Sequence, residues 1–377
     1  MPAKKSNKNS KKRALKSTIN KNKFHFKKTS TRDNKAKKYN SNKSKNAKES
    51  ILFVGLEKWE EDYLKKYFPN AKFSETLASK NLSKFSDTTI LGVFVHTEIN
   101  SDIIDRLKNL RIIVTLSTGF DHIDLETCKR KNITVCNVPK YGQNTVAEHA
   151  FALILSLARK LYKIYPRTKQ GNFSLAGLRG FDLKGKRLGV IGCGNIGQNV
   201  AKIANGFEMK VQVYDLIHDN LLAKKLNFKY VDLEKLLSSS DIITIHVPYN
   251  KHTHHMINKE NIKLFKQGSY LVNTARGEVV DTSALLYGLK HDILAGAALD
   301  VLEEECFLMA ERKMAENQLK ICDAKVALEN HMLLMQENVI ITPHTAFNTK
   351  EALERIFETA VKNIESFRKG KLINKVV

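Results

Sequence analysis

Short, unbroken apolar runs recur along this chain, separated by polar stretches with helical spacing. The first is Ile51-Leu52-Phe53-Val54-Gly55, and Ile90–Val95, Ile112–Leu116 and Thr134–Cys136 follow. Between them, Glu60–Phe68 and Ser101–Leu110 read as helices. A strand with one wet face alternates apolar and polar residues, whereas a strand covered on both faces is apolar throughout. Continuous runs alternating with helices therefore predict a parallel sheet with helices on both sides.

A long helix, apolar along much of its length, is expected over about Thr145–Tyr165, closed by Pro166. A loop carrying Gly171, Gly177 and Gly180 follows, and then a second strand–helix series. Its strands read Arg187–Ile191, Val211–Tyr214, Ile242–Val247, Tyr270–Asn273, Ala295–Leu299 and Val339–Ile341. Six strands with helices between them match a complete dinucleotide-binding unit. One more helix is expected over about Thr349–Arg368. No internal repeat of solenoid period is present. The pattern predicts an α/β protein of two Rossmann-like, doubly wound parallel-sheet domains with a cleft between them.

Composition changes the picture mainly at the N-terminus. The 377 residues are 42% hydrophobic and 27% charged, a soluble globular balance. Residues 1–48 carry 18 Lys+Arg against a single acid, Asp33, so +17 of the net +24 sits in a Lys/Asn/Ser-rich segment. Such a segment cannot bury enough apolar surface to offset its ordering entropy and reads as a disordered basic tail. The tail is either a solvated extension or a weak, salt-sensitive attractant for polyanions. No apolar run approaches the ~20 residues of a membrane span, and the basic start is followed by no apolar segment of a secretory signal. Five cysteines (Cys128, Cys136, Cys193, Cys306, Cys322) without a CxxC pairing argue against disulfides or a zinc site, and for a reducing cytoplasm.

The clearest motif is Gly192-Cys193-Gly194-Asn195-Ile196-Gly197, a GxGxxG between an apolar strand and a helical run. Gly192 permits the tight turn, Gly194 lets backbone approach a pyrophosphate, and Gly197 lets helix and strand pack closely. The helix N-terminus presents free N–H groups to the phosphate. Asp215 ends the second strand of this unit, 18 residues beyond Gly197. An acid there accepts ribose hydroxyls and repels a 2′-phosphate, which points to NAD over NADP. Further chemistry must come from other strand ends. Arg276 follows one strand, Asp300 ends the next with Glu305 five residues later, and His344 follows the last. Arg pairs bidentately with a carboxylate, and a His kept cationic by an acid can protonate a carbonyl oxygen. Together they suit reduction of a 2-oxo acid.

Several ordered stretches carry a family resemblance from about Ile51 to about Lys371. They are Leu116-Ser117-Thr118-Gly119-Phe120-Asp121-His122-Ile123-Asp124, Val138-Pro139-Lys140-Tyr141-Gly142, Asn144-Thr145-Val146-Ala147-Glu148-His149, Val272-Asn273-Thr274-Ala275-Arg276-Gly277 and Thr342-Pro343-His344. The sequence resembles the D-isomer-specific 2-hydroxyacid dehydrogenases, in their D-lactate-dehydrogenase-like branch. The resemblance implies catalytic Arg276, Glu305 and His344, and Asp300 against the nicotinamide amide. It implies that Ser117, Thr118 and Gly119 meet the substrate carboxylate through backbone N–H groups, with Tyr141 also at the substrate. Asn195, Ile196, Asp215, Val247, Pro248, Thr253, Thr274 and Ala275 would complete the NAD site. Residues 49–143 with 345–377 would form a discontinuous substrate domain, residues 144–344 the NAD domain, and the helix Thr145–Tyr165 a homodimer contact.

Two features depart from the family pattern. The 33 residues Glu303–Met335 separate the Asp300 strand from the last one, and three acids are contiguous there. Glu305 is chosen by its 29-residue spacing from Arg276, with Glu303 as the fallback. His252, His254 and His255 read as loop and cleft rim rather than as metal ligands, Cys193 as a small turn residue, and Trp59 as packing or rim of the first domain. A binding protein of another class, a nucleotide-sensing corepressor on the same scaffold, is the alternative. So is the same chemistry on glyoxylate, hydroxypyruvate or an aryl pyruvate.

Overall fold

The computed structural model describes residues 49–77, 81–95, 97–305 and 324–377. The expected tail over residues 1–48, and Cys306 and Cys322 within 306–323, lie outside the described residues. No helix among the described residues is long and apolar enough to cross a membrane.

The first sheet contains β1 (Ile51–Val54), β2 (Lys72–Ser74), β3 (Ile90–Val93), β4 (Ile112–Thr115) and β5 (Thr134–Cys136), all parallel in the order β2-β1-β3-β4-β5. Every residue of β1, β3 and β4 is buried, because both faces are covered. On one face Phe53, Ile112 and Val114 pack against Leu64 of α1 (Lys58–Lys65) and against Ile356 and Phe357 of the C-terminal helix. On the other, Leu52, Leu91 and Ile113 meet Ile103 and Ile104 of α2 (Ser101–Arg106) and Cys128 of α3 (Leu125–Arg130). The chain end returns to this sheet, where the Val135 N–H donates to the Val377 carbonyl.

Helices α4 (Gln143–Arg159) and α5 (Leu161–Lys169) lead to the second sheet. It contains β6 (Arg187–Ile191), β7 (Lys210–Tyr214), β8 (Phe228–Tyr230), β9 (Ile242–Ile245), β10 (Ser269–Asn273), β11 (Leu294–Leu299) and β12 (Val339–Ile341). Its order is β12-β11-β10-β9-β6-β7-β8, again all parallel. Between the strands run α6 (Asn195–Gly206), α7 (Asn220–Lys225), α8 (Leu233–Ser239), α9 (Thr282–Lys290) and α10 (Ala324–Leu334), and α11 (Lys350–Arg368) closes the chain. Helices α4 and α6 cover one face and α8 and α9 the other. The direction of winding reverses between β6 and β9, so the loops beyond their carboxyl ends diverge and leave a crevice.

Three expectations need correction. The helix expected over Thr145–Tyr165 is two helices, broken at Lys160, whose φ of 50° is left-handed. Pro166 lies inside α5 rather than ending a helix. The apolar pattern continues across the break, so periodicity could not locate it. The second sheet has seven strands rather than six, and the first has five rather than four. The additional strands, Lys72–Ser74 and Phe228–Tyr230, are three-residue edge strands with an exposed Lys each, and they offer no continuous apolar run.

One carboxyl in the first unit gives a test of the packing. Glu60 accepts the Glu57 N–H at 2.8 Å at the start of α1, and its 5% exposure pushes its pKa up to about 7. Folding thus favours the protonated form, so unfolding between about pH 4.5 and 7 releases a proton and stability declines as pH rises through that window. Glu60→Gln should remove this decline, gaining on the order of 3 kcal/mol over the parent at pH 8 and little at pH 4. Parallel urea melts at the two pH values measure the difference, and an equal difference at both would exclude a protonated Glu60.

Candidate active site

The glycine turn lies at the carboxyl end of β6, where α6 starts inside the motif at Asn195. Gly192 has a φ of 93°, a conformation that L side chains rarely adopt, and a Cβ on Gly197 would come within 2.0 Å of the Gly192 carbonyl. Helix and turn can therefore meet only with glycine at both positions. Gly194 has open space where a side chain would project. The first N–H groups of α6 thus face a cradle shaped for a phosphate, and a dinucleotide fits it. Asp215 sits beside the turn and accepts the N–H groups of Cys193 (2.6 Å) and Ile217 (2.9 Å).

On the neighbouring strands, Asn273 shapes the turn that presents Arg276. Its side chain accepts the Ala275 N–H at 3.0 Å and donates to the Arg276 carbonyl at 2.9 Å. Gly277 lies so close to Leu302 that a Cβ would sit 2.0 Å from the Leu302 carbonyl. This contact seats the Asp300–Glu305 turn against the Arg276 turn. Glu305 Oε2 lies 3.0 Å from His344 Nδ1. Glu303 faces elsewhere, with Oε1 2.6 Å from His255 Nε2 and Oε2 accepting from the Thr282 N–H and hydroxyl. His344 has a left-handed φ of 48°, and its N–H donates to the Asp300 carbonyl at 2.8 Å.

Asp300 is fully buried, and burial by itself raises a carboxyl pKa. Hydrogen bonds from His149, Thr342 and the N–H groups of Ala346 and Thr345 outweigh this and hold it below the ordinary value. Burial pushes the Glu278 carboxyl up, and the nearby Glu305 and Glu303 charges act in the same direction.

The first unit supplies the opposite wall. Ser117 Oγ donates to the Gly119 carbonyl at 2.6 Å, and Thr118 Oγ1 to the Val138 carbonyl at 2.9 Å, so the loop after β4 is internally fixed. Asp121 lies across the cleft, with Oδ2 3.4 Å from Arg276 Nε. Burial raises the Tyr141 pKa, and the Arg276 charge opposes that rise.

A cleft of about 440 Å³ joins these walls. Ser117, Thr118, Gly119 and Tyr141 line it from one side, and Gly194, Asn195, Ile196, Val247, Pro248, Thr274, Ala275, Arg276, Asp300 and His344 from the other. Gly192, Gly197 and Asp215 support or flank the glycine turn, and Glu305 adjoins the cleft through His344. Thr253 is not in the lining; its hydroxyl donates to the Pro248 carbonyl at 2.7 Å and so shapes a lining loop. Sequence reasoning missed Asp121, His246 and Phe347, which also line the cleft. Asp121 stood within a quoted motif, but only the fold places it opposite Arg276.

Residues 151–346 match the family described as D-isomer specific 2-hydroxyacid dehydrogenase, NAD binding domain. A 2-hydroxyacid dehydrogenase homolog of Zymomonas mobilis is 37% identical over 301 residues, covering 79% of this chain and 89% of the relative. A glyoxylate reductase of Pyrococcus furiosus is 34% identical over 333 residues, covering 85% and 90%. The solved structure of D-lactate dehydrogenase from Aquifex aeolicus, complexed with NAD and lactic acid, superposes with a TM-score of 0.77 at 39% identity. That superposition covers 85% of this chain and 96% of the other.

The glycine contacts supply a controlled pair of substitutions on α6. Gly197→Ala should weaken NADH binding at least about tenfold and lower stability, because backbone must move to admit the methyl group. Gly206→Ala, with nothing within 4 Å, should bind as the parent does and gain up to about 1 kcal/mol. NADH fluorescence titrations and thermal melts compare the two, and equal behaviour would contradict the packing described.

Proposed function

Because this chain belongs to the D-isomer specific 2-hydroxyacid dehydrogenase family, we propose that it reduces a small 2-oxo acid of the pyruvate type to its D-2-hydroxy acid. The observation that carries this reading is the His344–Glu305 pair at 3.0 Å, in one cleft with Arg276. When bound, NADH supplies the hydride. Arg276 holds the substrate carboxylate, in place of the Asp121 carboxylate now beside its guanidinium. The Ser117–Gly119 loop offers backbone N–H groups to the same carboxylate. With Nδ1 of His344 engaged by Glu305, Nε2 is the nitrogen that donates the proton to the carbonyl oxygen. Asp215 holds the adenosine ribose and disfavours a 2′-phosphate.

The same reading makes residues 49–143 with 345–377 the substrate domain and 144–344 the NAD domain, moving about the crossings near Asn144 and His344. Closure excludes water from the cleft. It includes a homodimer through α4 and its neighbourhood, where Leu161, Tyr165, Phe173 and Leu175 are exposed. The +17 charge of residues 1–48 supports weak polyanion binding by that segment, which a chain starting at Ser50 should lose together with its salt dependence.

The direct test is turnover by purified protein of pyruvate, glyoxylate, hydroxypyruvate and an aryl pyruvate, each with NADH and with NADPH. Pyruvate with NADH should be preferred. His344→Ala should lower kcat by about 10²–10⁴ while NADH still binds. Arg276→Lys should chiefly raise the KM for the oxo acid, since Lys keeps charge and loses the fork. Near-parental turnover in His344→Ala would overturn the mechanism. NADH binding without turnover of any 2-oxo acid would favour the nucleotide-sensing alternative.

A further inference from the structure

Seven buried side-chain polar atoms have no hydrogen-bond partner among the described residues, and two of them belong to residues lining the cleft: His246 Nδ1 and Thr274 Oγ1. Their proximity follows from strand register. β9 and β10 run parallel with Ile245 opposite Asn273, so the residues that follow, His246 and Thr274, leave the sheet side by side at its carboxyl edge. Ligands of doubly wound sheets bind at that edge. A buried polar atom without a partner is costly, and two at neighbouring strand ends in one cleft indicate a ligand that satisfies them.

The imidazole is fixed by its other nitrogen. Thr244 is fully buried, and its Oγ1 lies 2.9 Å from His246 Nε2. The hydroxyl can donate its proton to Nε2 or accept one from it. With the hydroxyl as donor, Nε2 accepts and Nδ1 carries the ring N–H. Desolvation pushes the His246 pKa down to about 3, so the ring is a neutral donor. The backbone is held as firmly. The His246 N–H donates to the Ile191 carbonyl at 2.7 Å, and a Cβ on Gly192 would come within 2.8 Å of the His246 carbonyl. His246 is thus packed against the first glycine of the phosphate turn.

We propose that His246 is a cofactor-binding residue, whose Nδ1–H donates to an acceptor oxygen of the bound dinucleotide with the Thr274 hydroxyl as a second contact beside it. The inference rests on the dinucleotide reading of the cleft and deepens it. Neither the glycine turn nor the Arg276, Glu305 and His344 group calls for an imidazole at this strand end.

Two near-isosteres separate the ring nitrogens. The amide of His246→Asn falls near Nδ1, and that of His246→Gln falls near Nε2. Equilibrium NADH titrations of the full chain, followed by fluorescence, should show His246→Gln about tenfold or more weaker and His246→Asn within about threefold of the parent. A purely structural histidine, valued for its Thr244 bond, would give the reverse order, with His246→Gln the benign change in both melts and titrations. Parental affinity in His246→Gln, or an equal loss in both variants, would overturn the assignment. A parent chain that binds no NADH would overturn the dinucleotide reading itself, and this inference with it.

Discussion

A single buried carboxylate, Asp300, holds the place where the chain leaves the second sheet. An ionised carboxyl with no solvent exposure is strongly unfavourable unless its oxygens are fully engaged. Here Oδ1 accepts the Thr342 hydroxyl at 2.5 Å and the Thr345 N–H at 2.9 Å, while Oδ2 accepts the Ala346 N–H at 2.9 Å. His149 of α4 adds a contact at 3.3 Å. The groups that satisfy the charge therefore come from both segments that cross between the sheets. His344 lies within the bonded segment, which over-determines its left-handed backbone and explains how a histidine persists in a conformation usually left to glycine. Asp300 thus both lines the cleft and, through its oxygens, organises the crossing.

The two crossings are tied again on the first-sheet side. Arg355 of α11 donates from Nε to the Tyr141 carbonyl at 2.8 Å and from Nη2 to Thr145 Oγ1 at 3.1 Å. One cation thus clasps the start of α4 and the helix that follows His344. Bonds of this kind, between short connecting segments rather than between the sheets, are compatible with rotation of one unit against the other. The Arg276–Asp121 pair that spans the cleft is partly exposed and therefore weak.

The sequence made the central strands legible because burial on both faces leaves an uninterrupted apolar run. Arg187–Ile191, in the middle of the second sheet, has the same bounds in the pattern and in the structure, as do the edge strands Thr134–Cys136 and Val339–Ile341. The other two edge strands, Lys72–Ser74 and Phe228–Tyr230, did not announce themselves, since an exposed Lys in each interrupts the apolar run. The helix of the glycine motif also begins earlier than its apolar run, at Asn195, because the backbone N–H groups needed at a phosphate site must start inside the motif. His246 was invisible for a different reason. It stood next to residues assigned to the cofactor site, but its significance lies in an unmatched nitrogen, and hydrogen-bond satisfaction is a property of the fold.

The three contiguous acids show how burial sorts roles that composition leaves equal. Glu303 is 9% exposed and both its oxygens are engaged, by His255 and by Thr282, while the Asn330 side chain donates to its backbone carbonyl at 2.7 Å. A carboxylate so committed anchors the turn to α9 and α10 and has no geometry left for His344. Glu304 takes a left-handed φ of 46°, which redirects the chain between its neighbours. Glu305 then arrives on the side of the cleft, where Oε1 accepts the Leu302 N–H at 3.3 Å and Oε2 meets His344. Spacing from Arg276 selected Glu305 without a physical reason. The reason is that the first acid must be consumed in fixing the turn before the third can be held at a defined distance from an imidazole.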